Sequence, residues 1–254
     1  MRVWAVALNT FKETIRNRVL INILIFTVGL ILLTLIIGDW SIYQQVKVIK
    51  DFGLSAMSIF GLLIAIFIGI RLMVEELEQK TIYVIISKPI HRREVILGKY
   101  LGLSTTLAIN VIFMSLALWG TEYLQEGRID LGLTQAILLI YIEILLIVCF
   151  SLFFSSFISP TLSAIMTLAV FTIGHLTGFL RDYVKLYPDK GFHWLLKGIY
   201  YVVPNLEMLN LKMAVVEHIE QPPHAVLYGL LYGIGYILIL LLLTTAIFSR
   251  RDLK

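Results

Sequence analysis

Glu217-His218-x-Glu220 followed by His224 is the densest run of metal-capable residue types in the 254-residue chain. Zinc-dependent hydrolysis on one helix face needs H-E-x-x-H, with two imidazoles one turn apart on the ion and the acid activating water; that spacing is not met. Solvated loop charge is the simpler account of these residues. No G-x-S-x-G elbow offers a serine nucleophile. A phosphate-cradling loop needs G-x-x-x-x-G-K-S/T, and Gly98-Lys99 lacks both the upstream glycine and the following hydroxyl. We therefore expect no catalytic residue, no metal site and no cofactor in this chain. Three features carry more information. Glu143 and His175 each interrupt an apolar block, and residues 75–99, EELEQKTIYVIISKPIHRREVILGK, pack four acids and five bases into one island.

The elements that position these residues follow from composition. The chain is 59% apolar and 15% charged, with a mean hydropathy of +0.88, outside the range of soluble domains. A membrane must be the solvent. A helix needs about 20 apolar residues to cross a hydrocarbon core roughly 30 Å thick. Six blocks qualify, at 19–38, 53–70, 101–121, 133–155, 160–180 and 225–248, and among them only the fourth contains an Asp, Glu, Lys or Arg, namely Glu143. They are continuously apolar and do not alternate, so helices are expected and a barrel is not. The expected fold is a single all-α integral-membrane domain over 1–254, with six transmembrane helices, an interfacial helix over 1–18, a cytoplasmic loop over 71–100 and an extracytoplasmic loop over 181–224.

Six spans put both termini on one side. That side carries thirteen Lys and Arg residues and the other eight, so the termini and the charged island face the cytoplasm. The net charge of +4 is this asymmetry, and no nucleic-acid partner is implied. The first block is too long for a cleavable signal peptide and no small-residue cleavage pattern follows it. Ahead of it, Trp4, Leu8, Phe11 and Ile15 fall on one helical sector with Arg2, Asn9, Lys12, Glu13 and Arg16 opposite, the pattern of an amphipathic helix lying among lipid headgroups. The lone Cys149 excludes an intrachain disulfide.

Within the island, Glu75, Glu76 and Glu78 should carry the second span's helix into water. Ile82-Tyr83-Val84-Ile85-Ile86 is apolar but too short to cross, and Pro89 ends it. Arg92 and Arg93 then open a helix running through Gly98-Lys99 into the third span. An apolar element rimmed by charge below a membrane is a docking surface for another protein. The plainer alternative is an ordinary solvated loop.

Glu75-x-x-x-x-Lys-Thr-Ile, followed by Ser87-Lys-Pro-Ile-x-Arg-x-Glu-x-Ile-Leu-Gly-Lys99, resembles the cytoplasmic loop of permease subunits of type-2 ATP-binding-cassette exporters, most closely the multi-copper enzyme maturation group. Looser similarity extends to Gly174-His-Leu-Thr-Gly178 and Tyr200-Tyr-Val-Val-Pro-Asn205. The resemblance implies a permease that dimerises, as a homodimer, in the cell inner membrane, and docks a cytoplasmic ATPase through a coupling helix within Thr81–Ser87. The contact would use Glu75, Glu76, Glu78, Thr81, Ile82, Ile85, Ser87, Pro89, Arg92, Arg93, Gly98 and Lys99. ATP and magnesium would be bound by that partner. Membrane lipid and a periplasmic accessory protein are further expected partners. Two other classes stay open: a non-transporting membrane scaffold, and an ATP-independent channel or secondary carrier. A carrier would show interrupted spans and internal repeats, and neither is evident in the sequence.

Glu143 either makes a hydrogen bond or ion pair that holds the assembly, which we prefer, or lies on a substrate path. His175 is expected to be a hydrogen-bonded packing residue. Gly98-x-x-x-Gly102, Gly174-x-x-x-Gly178 and Gly229-x-x-x-Gly233 should let helices approach closely, within one subunit rather than across a dimer. The 181–224 loop is too long to be structureless, and its aromatics suit one or two short helices at the outer leaflet, which in similar permeases cap the exit of the pathway.

Overall fold

Backbone hydrogen bonds must close within each segment that meets lipid, and every element here is helical among the described residues. The computed structural model describes residues 2–39, 45–78, 92–127, 130–186, 193–217, 219, 222 and 224–250. The elements are α1 (Arg2–Ile15), α2 (Arg18–Asp39), α3 (Gln45–Glu78), α4 (Arg92–Glu126), α5 (Leu131–Ser155), α6 (Pro160–His175), α7 (Thr177–Leu186), α8 (His193–Val202), a 3-10 turn (Leu206–Leu209), α9 (Lys212–Val216) and α10 (Ala225–Arg250).

Five of these, α2, α3, α4, α5 and α10, are long and apolar enough to cross a membrane. The expected span over 160–180 is not one straight helix: α6 and α7 are bent by 59° at Leu176. The 16 residues of α6 reach about 24 Å, short of the hydrocarbon thickness. The bend has a non-local cause. Gly174 and Gly178 leave room for the turn ahead of α9, with Leu206 and the Pro204 carbonyl against the first glycine and the Glu207 carboxylate against the second. The Thr177 hydroxyl then bonds to Gly174 O at 2.8 Å and Asn205 Oδ1 at 2.6 Å. An interrupted span is thus present where continuity was expected; counting the bent pair as one crossing gives six.

α5 is apolar around its whole circumference and forms the axis of the bundle, buried along most of its length. α3 packs against it through Gly61, which faces Ile144, and Gly69, which faces Ser151. At one end of the bundle lie α1, the carboxyl end of α3, the start of α4 and the α5–α6 hairpin, where Pro160 occupies the first helical turn. At the other end lie the start of α3, the close of α4, the start of α5, and α9, whose following Glu217 pairs with Lys47 at 2.9 Å. The first end contains both helix ends that flank residues 79–91.

α1 has three faces rather than two. Ala7, Thr10 and Thr14 are buried, and Ala7 and Thr10 lie over Gly102 of α4 while Val6 lies over Gly98. The stripe begun by Trp4 and Leu8 is outward, 66% and 40% exposed, and Lys12, Glu13 and Arg16 lie on the third, exposed face. The Gly98–Gly102 pair therefore seats α1 inside one subunit. Gly229 and Gly233 of α10 likewise receive Leu139 and Ile142 of α5 together with Met208 and Leu209 of the 3-10 turn.

Candidate functional site

A carboxylate in mid-membrane must be answered by a donor or a cavity. Glu143, fully buried on α5, faces three elements at once. Ser58 of α3 donates to its Oε1 at 3.3 Å, and His175 Nε2, on the last residue of α6, lies 3.3 Å from the same oxygen. Glu143 Oε2 has no hydrogen-bond partner among the described residues. His175 Nε2 is within ion-pair distance of Oε1 but is not aligned for a hydrogen bond.

The tautomer sharpens this. His175 Nδ1 is 3.1 Å from Phe171 O, and a carbonyl only accepts, so Nδ1 carries the proton. In a neutral ring Nε2 is then a lone pair facing a carboxylate. The contact is favourable only when one further proton resides on His175 or on Glu143. Two acidic or basic groups and one proton thus occupy the point where a broken helix ends.

A cation approaches from the loop. Lys212, at the start of α9, interacts with Glu143 and with Asp51 of α3; burial holds its ammonium below the usual lysine range, and the two carboxylates oppose that shift. Asn210 accepts from the Lys212 backbone N–H at 3.1 Å and so fixes the entry of α9. The loop is pinned elsewhere by Asn205, whose N–H donates to Tyr232 Oη of α10 at 2.7 Å. The segment 203–216 is therefore a plug seated on α3, α5, α6 and α10 above Glu143. Chemically, the cluster can hold a proton, a cation or a polar group of a passing molecule.

A second charged set sits toward the same end. Lys50 of α3 is fully buried, and its Nζ lies 3.0 Å from Glu122 Oε1 of α4 and 3.0 Å from Asp130 Oδ2 ahead of α5. Asp130 also caps α5, accepting from Gly132 N–H at 2.8 Å, and its own N–H donates to Glu122 Oε2 at 3.3 Å. Three helices are tied at one point. Sequence reasoning counted Lys50 as loop charge and did not single out Glu122 or Asp130. The available signal was depth: Lys50 stands just before the second apolar block and Glu122 just after the third.

The residues singled out in the island divide three ways. Thr81, Ile82, Ile85, Ser87 and Pro89 lie outside the described residues, so the coupling helix does too. Glu75, Glu76, Glu78 and Arg92 occupy helical backbone, on α3 and α4 as they leave the bundle, and Arg93 is exposed. Gly98 and Lys99 face inward: Gly98 lies beneath α1, and Lys99, 8% exposed, donates to the Leu72 carbonyl of α3. They hold the base of the island in place. Among the described residues, no three His, Cys, Asp or Glu side chains gather as a metal site, and Cys149 is buried.

The layout of spans, the inward-folded loop and the paired helical extensions meet a matching family model. That model, ABC-2 family transporter protein, covers residues 4–253. The chain belongs to the ABC-2 transporter family. As an ABC-2 permease it is the membrane permease subunit of an ABC transporter, a transport component rather than the ATPase, and the family implies an ABC ATPase as partner. No curated protein matches the chain.

Proposed function

We propose that two copies of this permease enclose an export pathway and that each copy docks its ATPase through a coupling helix within Thr81–Ser87, with Glu75, Glu76, Glu78, Arg92 and Arg93 bordering the contact. The α1 end then faces the cytoplasm of an inner membrane, with both termini inside, in keeping with the excess of Lys and Arg on that side. α1, with its outward apolar stripe beside a charged face, lies in the inner headgroup layer. ATP and magnesium are the partner's ligands. Within the ABC-2 family, the resemblance of residues 75–99 supports a place near the multi-copper enzyme maturation permeases.

The observation that carries this reading is the continuity of α3. It runs unbroken for 34 residues, about 50 Å, from the edge of the docking loop to Lys50, passing Ser58 beside Glu143 on the way. Its lower part is gripped by Lys99 and by Ser151, whose hydroxyl bonds to Ala65 O at 3.2 Å. A displacement imposed at Glu78 is therefore delivered to the Glu143 cluster by a rigid rod rather than absorbed in a loop. The 203–216 plug above that cluster is the outer gate, and Glu143, His175 and Lys212 line the passage that it closes.

Co-purification with the ATPase tests the docking half. Ile85→Asp, and the double reversal Arg92→Glu with Arg93→Glu, should leave the chain inserted but lose the partner, because each places an unpaired charge in a desolvated contact. Undiminished binding in both would remove the assignment. The bent α6–α7 pair is also a feature of secondary carriers, so vesicles containing the permease alone provide the second arm: substrate movement without ATPase or ATP would favour a carrier.

A further inference from the structure

The chain turns sharply between α1 and α2, and the turn leaves a wedge against α3. Asn17 makes the corner: its N–H donates to Thr14 O at 3.0 Å, and its side chain accepts from Val19 N–H at 2.9 Å. The wedge is a cavity of about 350 Å³. Among the described residues its wall carries Arg16, Arg18 and Arg71 with one acid, Glu13, and its floor is Ile68 and Leu72, both buried. The formal charge of these described lining residues is +2. The positive end of α2 opens on it, with no acidic residue in the first turn. Arg71 is where α3 leaves its apolar block, so the cavity lies at the level where hydrocarbon gives way to water.

From this arrangement we propose a binding site for the phosphate group of an anionic phospholipid from the leaflet on the α1 side. The chemistry has two parts. Guanidinium groups match phosphate oxygens in a planar, two-pronged fashion that ammonium groups cannot reproduce, and all three cations on the wall are arginine. The adjoining outward faces of α1 and α2, with Leu8, Ile21 and Ile25 exposed, offer the acyl chains a surface continuous with lipid, which a free anion would not use. A zwitterionic headgroup brings its own ammonium into a site already bearing three cations, so it binds less well. An occupant would bridge α1, α2 and α3, and α1 is the helix seated on Gly98 and Gly102 at the root of the docking loop. That consequence for coupling rests on the function proposed above; the site itself rests on the cavity and on this end meeting the membrane surface.

Native mass spectrometry of the full chain released from micelles tests it, with phosphatidylglycerol and phosphatidylcholine supplied in equal amounts. The unaltered protein should retain phosphatidylglycerol preferentially. Arg18→Gln and Arg71→Gln should each lower that preference about fivefold, the worth of one cation near an anionic surface. Lys47→Gln, at the opposite end of the bundle, should not. Circular dichroism and melting confirm that the variants are folded, which exposed arginines allow. An equal preference in the unaltered protein and both arginine variants would overturn the site. Protection against melting by millimolar sn-glycerol 1-phosphate equal to that given by phosphatidylglycerol would overturn the lipid assignment in favour of a soluble phosphate. Neither result bears on ATPase co-purification, so failure here and failure of the docking assignment are separable.

Discussion

Two sets of buried charge share α3, eight positions apart at Lys50 and Ser58, and they are built on opposite principles. At Lys50 one ammonium meets two carboxylates at 3.0 Å each, and Asp130 spends its second oxygen on the cap of α5. At Glu143 one carboxylate oxygen is shared by Ser58 and His175, and the other has no partner among the described residues. In the first set every carboxylate oxygen has a contact, although Glu122 Oε1 meets Lys50 at ion-pair distance without hydrogen-bond alignment. The second is one donor short, and it adjoins a broken helix and a folded-in loop. Burial alone does not distinguish a lock from a site; satisfaction does.

The largest expected effect comes from breaking the complete set. Lys50→Met leaves the buried Glu122 carboxyl without its cation, at a cost of about 3–5 kcal/mol, which should appear as a large fall in the melting temperature of the purified permease. The double variant Lys50→Met with Glu122→Gln should recover much of that loss, because the fully buried charge is then gone and the Asp130 carboxylate that remains is partly exposed and still caps α5. An additive double variant would mean that the two residues are not coupled.

A smaller loss is expected from the incomplete set. Glu143→Leu strips the Ser58 hydroxyl of its acceptor and sets an alkyl chain against the His175 ring nitrogen, costing about 1–3 kcal/mol for the polar groups left unanswered. The same melting measurement compares the two sites directly: a Glu143→Leu variant as damaged as Lys50→Met would erase the distinction drawn between them.

How far the two sites were legible in the sequence follows from how local their causes are. Each apolar block is a contiguous property, so α2, α5 and α10 begin and end close to where block length places them. The Lys50–Asp130 pair joins residues 80 apart, and neither a helical period nor a motif reports which of several charges will meet. Glu143 and His175 stood out as costly in lipid, but no spacing rule connects α5 to the end of α6. The bend at Leu176 was hidden because the segment is apolar on both sides of it; the wedge that makes it comes from Pro204–Glu207, nearly thirty residues later. The reading of residues 75–99 came from resemblance, and its central part, Thr81 to Pro89, falls outside the described residues, so the structure bears only on its flanks.

Lys212 allows a finer test. Its ammonium is held below the usual lysine range because burial outweighs the attraction of Glu143 and Asp51. A lowered lysine means that the unfolded chain binds more protons between the folded and ordinary values, so this residue's contribution becomes more favourable as pH rises through that window. Lys212→Met should therefore change stability by no more than about 1 kcal/mol at neutral pH, in the stabilising direction. The gap from the unaltered protein should narrow toward the ordinary lysine value. A gap that stays constant with pH would place the cation in a solvated setting, and one that widens would place it in a strongly paired one.

The smallest structural change carries the sharpest test. Glu143→Gln keeps the shape of the side chain, and its amide N–H can face the His175 Nε2 lone pair, supplying the proton that the carboxylate contact otherwise requires. Melting should therefore shift by less than about 1 kcal/mol, in contrast to Glu143→Leu. The dimer and the bound ATPase should be retained. Transport should not be, because the variant has lost the charge and the exchangeable proton that a polar or cationic passenger would meet beneath the plug. The measurement is ATP hydrolysis and substrate movement by the reconstituted complex, set beside the melting curve of the same preparation. Normal transport with normal melting would make Glu143 a packing residue and reduce the cluster to a second, looser lock. Normal melting with lost transport would leave the orphaned oxygen as the functional half of the pair.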